Sequence, residues 1–193
     1  EVFGEENNLG TIVWDKRNPK GDAKGIAYQH EYIVFFAKNK KNFLEACDFV
    51  RPKQNATKML KKAEQLIGKN GLNEATREDY RNWIKIQSDL SGGERAYSLI
   101  DDEGDVYQPV SMAWSNKKKA PEDYFLPLIH PITNKPCPVP ERGWRNPSST
   151  MKELLKKGLI VFGSDENTQP RRKYLLKENI NENISSLLYF GGS

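Results

Sequence analysis

The sequence predicts an α+β fold in which short mixed or antiparallel strands accompany two or three helices. Three observations carry that expectation. Runs rich in β-branched and aromatic residues are short and are bounded by Gly, Pro, Asn and Asp. Apolar residues at helical spacing are confined to the stretch from 55 to 90 and to a short segment after Thr150. Residues 130–149 hold five of the eleven prolines, which donate no ladder hydrogen bonds, so this segment is extended or turning.

Taken in order, "LGTIVWDK" (9–16) is a strand, and the Pro, two Gly and Asp of "RNPKGDAKG" make the loop after it. In "GIAYQHEYIVFFAKN" (25–39) the run Ile33 to Ala37 reads as a buried strand, with three hydrogen-bonding side chains, His30, Glu31 and Tyr32, at its entrance. Residues 15–41 hold seven Lys or Arg against three Asp or Glu, the first cationic surface. Asn55 is placed to cap a helix carrying Ala56, Met59, Leu60, Ala63 and Ile67, which Gly68 and Gly71 stop. Thr76 and Asp79 resemble a capping box for a second helix, with Tyr80, Trp83, Ile84 and Leu90 on one face. Lys61, Lys62, Arg77, Arg81 and Lys85 form the outer faces of this helical hairpin, an ordinary solvated surface with enough charge to meet phosphate.

"YSLIDDEGDVYQPV" (97–110) reads as a β-hairpin, Ser98 to Ile100 and Val106 to Val110 flanking an acidic turn that is unsuited to touching a nucleic acid. Lys117 to Lys119 form a charge run just after Trp114, and the Pro-rich segment ends in Arg142-Gly143-Trp144-Arg145. Thr150 with Glu153 marks a short helix bearing Met151, Leu154 and Leu155, closed by Lys156-Lys157-Gly158. "LIVFG" (159–163), "RRKYLL" (171–176) and "SSLLYF" (185–190) are the remaining strands, and there is no internal repeat.

The chain of 193 residues is 37% apolar and 29% charged, with a mean hydropathy of −0.76, so much of it lies on a wet surface. Its formal charge of +4 permits a polyanionic partner without requiring one. Cys47 and Cys137 are too few and too far apart for a disulfide framework or a zinc motif, and His30 and His130 add no ligand-like spacing. No apolar run reaches the ~18 residues of a membrane span and no signal-peptide core is present, so a cytoplasmic chain without a membrane partner is expected. The start at Glu1 and the strand-like ending "LLYFGGS" lead us to expect a piece of a longer protein.

Catalytic patterns are sparse. The D-x-K Asp22-Ala-Lys24 lacks a neighbouring acid for a metal-dependent nuclease. Neither a Walker loop, a G-x-G-x-x-G nor a G-x-S-x-G is present, and neither cysteine has an activating context. What remains is a binding surface of cationic loops interleaved with Trp14, Trp114, Trp144 and tyrosines, a composition suited to gripping nucleic acid. Trp83, on its helical face, reads as core instead, and Trp144 reads equally well as core or contact.

The blocks "EVFGEENNLGTIVWDKRNPKGDAKGIAYQHEYIVFFAKN", "DDEGDVYQ", "HPITNKPCPVPERGWR", "GLIVFGSDE" and "KYLL" stand in an order that resembles the middle of the Mod subunits of type III restriction-modification systems, adenine-specific DNA methyltransferases of the β class. The resemblance covers nearly the whole chain and is weakest from 43 to 95. It implies that 1–42 are terminal strands of the catalytic domain and 43–193 a DNA target recognition domain. The family's Asp-Pro-Pro-Tyr motif is missing, since Asn18-Pro19-Lys20 and Asn146-Pro147-Ser148 lack the second Pro and the aromatic. Phe190-Gly191-Gly192 likewise falls short of Phe-x-Gly-x-Gly. The fragment alone is therefore expected to be inactive and to bind no cofactor, S-adenosylmethionine belonging to the full-length parent.

By the same resemblance, "QHEYIVFFAK" is the strand that closes the pocket for a flipped base, with Tyr32 and His30 lining it and Glu31 orienting them. Alternatively, His30 caps the strand and Tyr32 packs in a core. The expected partners are double-stranded DNA, a second Mod subunit and a Res helicase-nuclease subunit. Arg142, Arg145, Arg171 and Arg172 are the candidates for contacts to bases or phosphates. Lys117, Lys118 and Lys119 are phosphate contacts, and Lys16, Arg17, Lys20, Lys24, Trp144 and Lys173 complete the expected DNA-binding set. A free-standing nucleic-acid-binding module and a protein-protein scaffold for a restriction subunit are the rival readings.

Overall fold

The structure, a computed structural model, describes residues 2–17 and 24–189. In chain order β1 (Asn8–Asp15), β2 (His30–Phe36), α1 (Lys40–Ala46) and β3 (Val50–Pro52) are followed by α2 (Ala56–Asn70), α3 (Glu74–Ile86) and α4 (Gly92–Arg95). Then come β4 (Leu99–Ile100), β5 (Val106–Ser111), α5 (Ser148–Lys156), β6 (Ile160–Val161), β7 (Arg171–Leu175), β8 (Asn181–Asn183) and β9 (Leu187–Leu188). The α+β class is as the sequence predicts. The chain forms two compact units, one comprising the residues up to Pro52 and those from Asn181 onward, the other Lys53–Ile180.

In the first unit β1 is central, with β2 antiparallel on one side and β9 parallel on the other. Asp15 faces His30 and Tyr32 faces Val13, so His30, Tyr32, Val34 and Phe36 share one face of β2. The strand expected to be buried is not: Tyr32, Val34 and Phe36 are exposed, and Ile33 and Phe35 are only half-buried. Among the described residues β2 is an edge strand of its sheet, and a high apolar content does not by itself supply a covering layer. The short helix α1, absent from the sequence reading, is capped by Asn39, whose side chain accepts from the Asn42 N–H at 2.9 Å. β3 pairs antiparallel with β8, and Arg51 meets Glu182 at 3.0 Å across that ladder.

The second unit has an antiparallel sheet of order β4-β5-β7-β6 and two apolar clusters. Met59 and Ala63 of α2 with Tyr80 and Ile84 of α3 join Ile100, Val106 and Leu176 in the first. Met112, Leu128, Trp144, Met151, Leu154 and Ile160 form the second. The helical hairpin and its inward faces follow the 3.6-residue spacing. Asn55 and Gly71 flank α2 as predicted, with Gly68 inside the helix, but the cap of α3 does not follow the predicted signature. α3 starts two residues before Thr76, because Asn73 accepts the Thr76 N–H at 3.0 Å, and the Thr76 hydroxyl donates to the Gly71 carbonyl at 2.7 Å.

At α5, Thr150 likewise lies inside the helix. Asp123 serves its first turn instead, accepting the Ser148 N–H at 2.9 Å and the Ser148 hydroxyl at 2.6 Å. A true capping box stands unpredicted at Ser91–Glu94. Glu94 also accepts the N–H of Asn55 at 2.8 Å, binding the start of α2 to α4. Burial raises the pKa of this carboxyl, yet the N–H groups of Ser91 and Asn55 outweigh burial and hold it below its usual value.

The Pro-rich segment is ordered by a buried histidine. His130 Nδ1 accepts the N–H groups of Ile132 at 3.3 Å and Thr133 at 3.2 Å, while Nε2 lies 3.1 Å from the Gly163 carbonyl. Prolines that donate nothing to a ladder are thus fixed through a side chain.

Candidate nucleic-acid interface

Two clusters correspond to the site residues expected from sequence, one in each unit. In the first, Tyr32 is 66% exposed and its hydroxyl lies 3.2 Å from His30 Nε2. The two rings meet edge to face with centroids 5.1 Å apart, and Tyr28 packs on His30 in the same manner at 6.0 Å. Tyr28 was not among the expected residues, although Tyr28-x-His30-x-Tyr32 has the period of two that sets side chains on one face of a strand. Glu31 points to the opposite face and takes the Lys16 ammonium, so it does not orient His30 or Tyr32, and Lys16 arrives already paired. Arg17 and Lys24 are exposed, with Arg17 lying over the Tyr189 ring at 5.6 Å. Lys20 lies outside the described residues.

In the second unit, segments 112–120 and 142–145 are knitted together. The N–H groups of Trp114, Ala120 and Arg145 donate to the carbonyls of Gly143, Arg142 and Met112 at 2.9, 3.0 and 2.6 Å. Lys117, Lys118 and Lys119 therefore project, exposed, from the same backbone knot as the exposed Arg142 and Arg145. Arg171, also exposed, is the register partner of Ser111, one residue before Met112, and so lies at the same end of the sheet.

Trp144 is the centre of this knot and not a contact: it is 1% exposed and its Nε1 donates to the Leu126 carbonyl at 2.9 Å. Its expected role at DNA is corrected to a core role, because a sealed ring offers no face to a base. Gly143 beside it has φ +91°, and a Cβ there would stand 3.0 Å from Ala120 Cβ and 3.1 Å from the Phe125 ring, so only glycine fits. Trp114 braces the lysines, its Nε1 donating to the Lys118 carbonyl at 2.8 Å and its ring packing edge-on against Tyr124.

The electrostatics divide the basic residues. Lys58, Arg77, Arg81, Lys135, Lys173 and Lys177 each meet a carboxylate. Among the described residues Lys117 to Lys119, Arg142, Arg145, Arg171 and Arg172 meet none. Lys173 belongs to the first group and leaves the DNA-binding set. Its side chain, 13% exposed, bonds Asp101 at 2.9 Å, so its charge is consumed within the fold. Among the described residues no His, Cys, Asp and Glu cluster is arranged to hold a metal, and no helix is long and apolar enough to cross a membrane.

A family model described as DNA methylase (N6_N4_Mtase) matches residues 1–143. The chain belongs to this DNA methylase family. It is also 34% identical over 194 aligned positions to the type III restriction-modification enzyme EcoP15I Mod subunit of Escherichia coli, a match covering all of this chain and 29% of that relative. The chain thus spans under a third of the length of the Mod subunit it resembles, and the resemblance read from the sequence blocks holds.

Proposed function

We propose that this DNA methylase chain is the sequence-recognition portion of an S-adenosylmethionine-dependent, adenine-specific DNA methyltransferase of the type III Mod kind. On this reading the cofactor, the methyl transfer, the second Mod subunit and the Res partner belong to the longer parent. The unit formed by residues up to Pro52 and from Asn181 onward contributes His30 and Tyr32, with Tyr28, as one wall of the pocket for the extruded base. Recognition is assigned to the unit Lys53–Ile180. This redraws along the compact units the division at 42 and 43 inferred from resemblance.

One observation carries the reading: cations from two distant segments are gathered on one backbone knot with no carboxylate to neutralise them, whereas Lys58, Arg77, Arg81, Lys135, Lys173 and Lys177 of the same unit are spent on ion pairs. Exposed, unneutralised cations held on a fixed frame are what a phosphate backbone requires. A protein scaffold for a restriction subunit would show no duplex affinity to lose as salt rises.

The test is fluorescence anisotropy with a labelled duplex at low and then rising salt. Binding that falls linearly on a plot of log K against log salt is expected. The slope should shrink by about 0.9 for each phosphate-contacting lysine of the 117–119 run replaced by Gln. Absence of duplex binding at low salt would overturn the assignment.

A further inference from the structure

Side chains alternate along β7, so Lys173 turns to Asp101 while Arg172 and Tyr174 share the other face. Across the ladder, Arg172 is flanked on that face by Ile160 and Val110, and Tyr174 by Gln108. This is the apolar side of the sheet: Ile160 belongs to one core cluster, and Tyr174 packs against the other. An arginine in the seam between two apolar clusters is unexpected unless it is paired. Arg172 is not. Its Nε is buried without a hydrogen-bond partner, and no carboxylate meets the guanidinium.

Among the described residues the guanidinium meets an aromatic partner alone, lying 4.4 Å from the centroid of the Tyr174 ring. The side chain packs on the Tyr174 ring and stays partly exposed, and among the described residues no acceptor meets its guanidinium. An apolar side chain would fill this seam without the penalty of an unmatched buried donor. The arrangement is accounted for if the acceptors arrive with a ligand.

We propose that Arg172, packed on the Tyr174 ring, is a specificity-determining residue that donates two parallel hydrogen bonds to the O6 and N7 edge of a guanine in the major groove. The proposal rests on the DNA-recognition reading above. Bidentate donation needs a planar fork, which an exposed lysine loop does not provide and an arginine packed on a ring from a sheet strand does. The loop cations Lys117 to Lys119 and Arg142 suit the sequence-independent phosphates, so the two kinds of contact are divided between loop and sheet.

The experiment is selection from a duplex library with a randomised core, using the 193-residue chain, Arg172→Lys, Arg172→Met and the control Lys135→Gln, whose charge is already paired with Glu166. The wild-type chain is expected to enrich a motif containing at least one G·C pair. Arg172→Lys should reduce the preference at one such pair roughly ten- to hundred-fold and leave the other positions and the salt slope unchanged. Arg172→Met should do the same, with Lys135→Gln unchanged. Arg172→Lys keeps the packed stem and the charge, so it tests the fork itself even if the Met variant folds poorly.

A motif unchanged in Arg172→Lys would overturn the assignment. So would a loss equal across all sequences with a smaller salt slope, the mark of a phosphate contact, or a wild-type chain that binds duplex and enriches nothing. If the wild-type chain binds no duplex at all, the recognition reading itself falls. If it binds and Arg172→Lys selects the same motif, only the guanine assignment does.

Discussion

The acidic hairpin and the tryptophan knot of the Lys53–Ile180 unit both carry cations, and they use them in opposite ways. At the hairpin Lys173 meets Asp101, Lys177 meets Asp105 at 2.5 Å, and Arg77 meets Asp102 at 2.6 Å, so the positive charge is absorbed in holding β7 and α3 to the β4–β5 turn. At the knot Lys117 to Lys119, Arg142 and Arg145 project from loops whose backbones are hydrogen-bonded to each other, and their charge meets no carboxylate among the described residues. A basic residue is informative about function only once its counter-charges are known. The acidic turn, which looks merely hostile to nucleic acid in the sequence, has the positive task of neutralising the cations around it.

The largest way to break this contrast is to remove the frame of the knot. Trp144→Ala empties the centre of the second apolar cluster and removes the donor to Leu126, and a loss of about 3–5 kcal/mol is expected. Duplex binding should go with it, since Arg142 and Arg145 lose the backbone that aligns them. Urea unfolding and anisotropy on the same preparations check both. Retained binding in a destabilised variant would detach the cations from the knot.

Next in size is the buried pair at the hairpin. Lys173→Met leaves Asp101, 7% exposed at its side chain, without its cation, and about 2–3 kcal/mol should be lost, less than for a fully sealed pair because Lys173 keeps some solvent. Duplex binding per folded molecule should not change, which separates Lys173 from its neighbours Arg171 and Arg172. The pH dependence sharpens the point. Burial pushes the Asp101 carboxyl up, but the Lys173 ammonium and the N–H groups of Asp105 and Glu103 outweigh it, and the net value lies below that of an ordinary aspartate. The folded state therefore binds this proton less tightly than the unfolded state. The resulting stability is present above the ordinary value of about 3.9 and is lost as pH falls through the depressed one. Melting curves should show the gap between wild type and Lys173→Met narrowing below pH about 4.

Charge removal at the knot has a smaller effect on the fold and a larger one on binding. Replacing Lys117, Lys118 and Lys119 together by Gln should change stability by under about 0.5 kcal/mol, as for exposed positions without partners. Duplex affinity at low salt should drop with the shallower slope described above. Parallel unfolding and binding titrations decide it, and a stability loss comparable to that of Lys173→Met would erase the contrast between the regions.

How much of this was legible in the sequence follows from the range of the interactions. The helical hairpin, the β4–β5 turn and β7 are set by periodicity and turn residues, which act within a few positions, and these were read correctly. The capping residues were harder. The sequence points to Thr76 where Asn73 caps, and Gly92 and Gly93 make the box at Ser91–Glu94 look like a loop rather than a first turn. Trp144 and Lys173 defeated the reading for a different reason: partners at Leu126 and Asp101 close their environments, and no local pattern announces a pairing across 18 or 72 positions. Glu31 was separable in principle, since alternation along β2 places it opposite His30 and Tyr32. The knot that gathers Lys117 to Lys119 with Arg142 and Arg145 depends on hydrogen bonds between irregular segments, and only Gly143, bracketed by Arg142 and Trp144, marked it in the sequence.

The smallest expected effect lies at the surface pair Lys135–Glu166, 2.8 Å apart, which tests whether pairing alone or pairing with burial gives a cation a structural role. The Lys135 ammonium, followed by the Glu166 backbone N–H, holds the Glu166 carboxyl down to about 2. Yet the Lys135 side chain is 66% exposed, so solvent screens the attraction and two long side chains lose freedom in making it. Lys135→Gln should therefore raise the Glu166 titration toward the ordinary glutamate value, read by carboxyl carbon shifts, while leaving the melting midpoint unchanged within error at neutral pH. A clear drop in the midpoint would mean that an exposed pair stiffens the His130 loop as effectively as Asp101 holds Lys173. Pairing by itself would then be the criterion that divides structural from available cations.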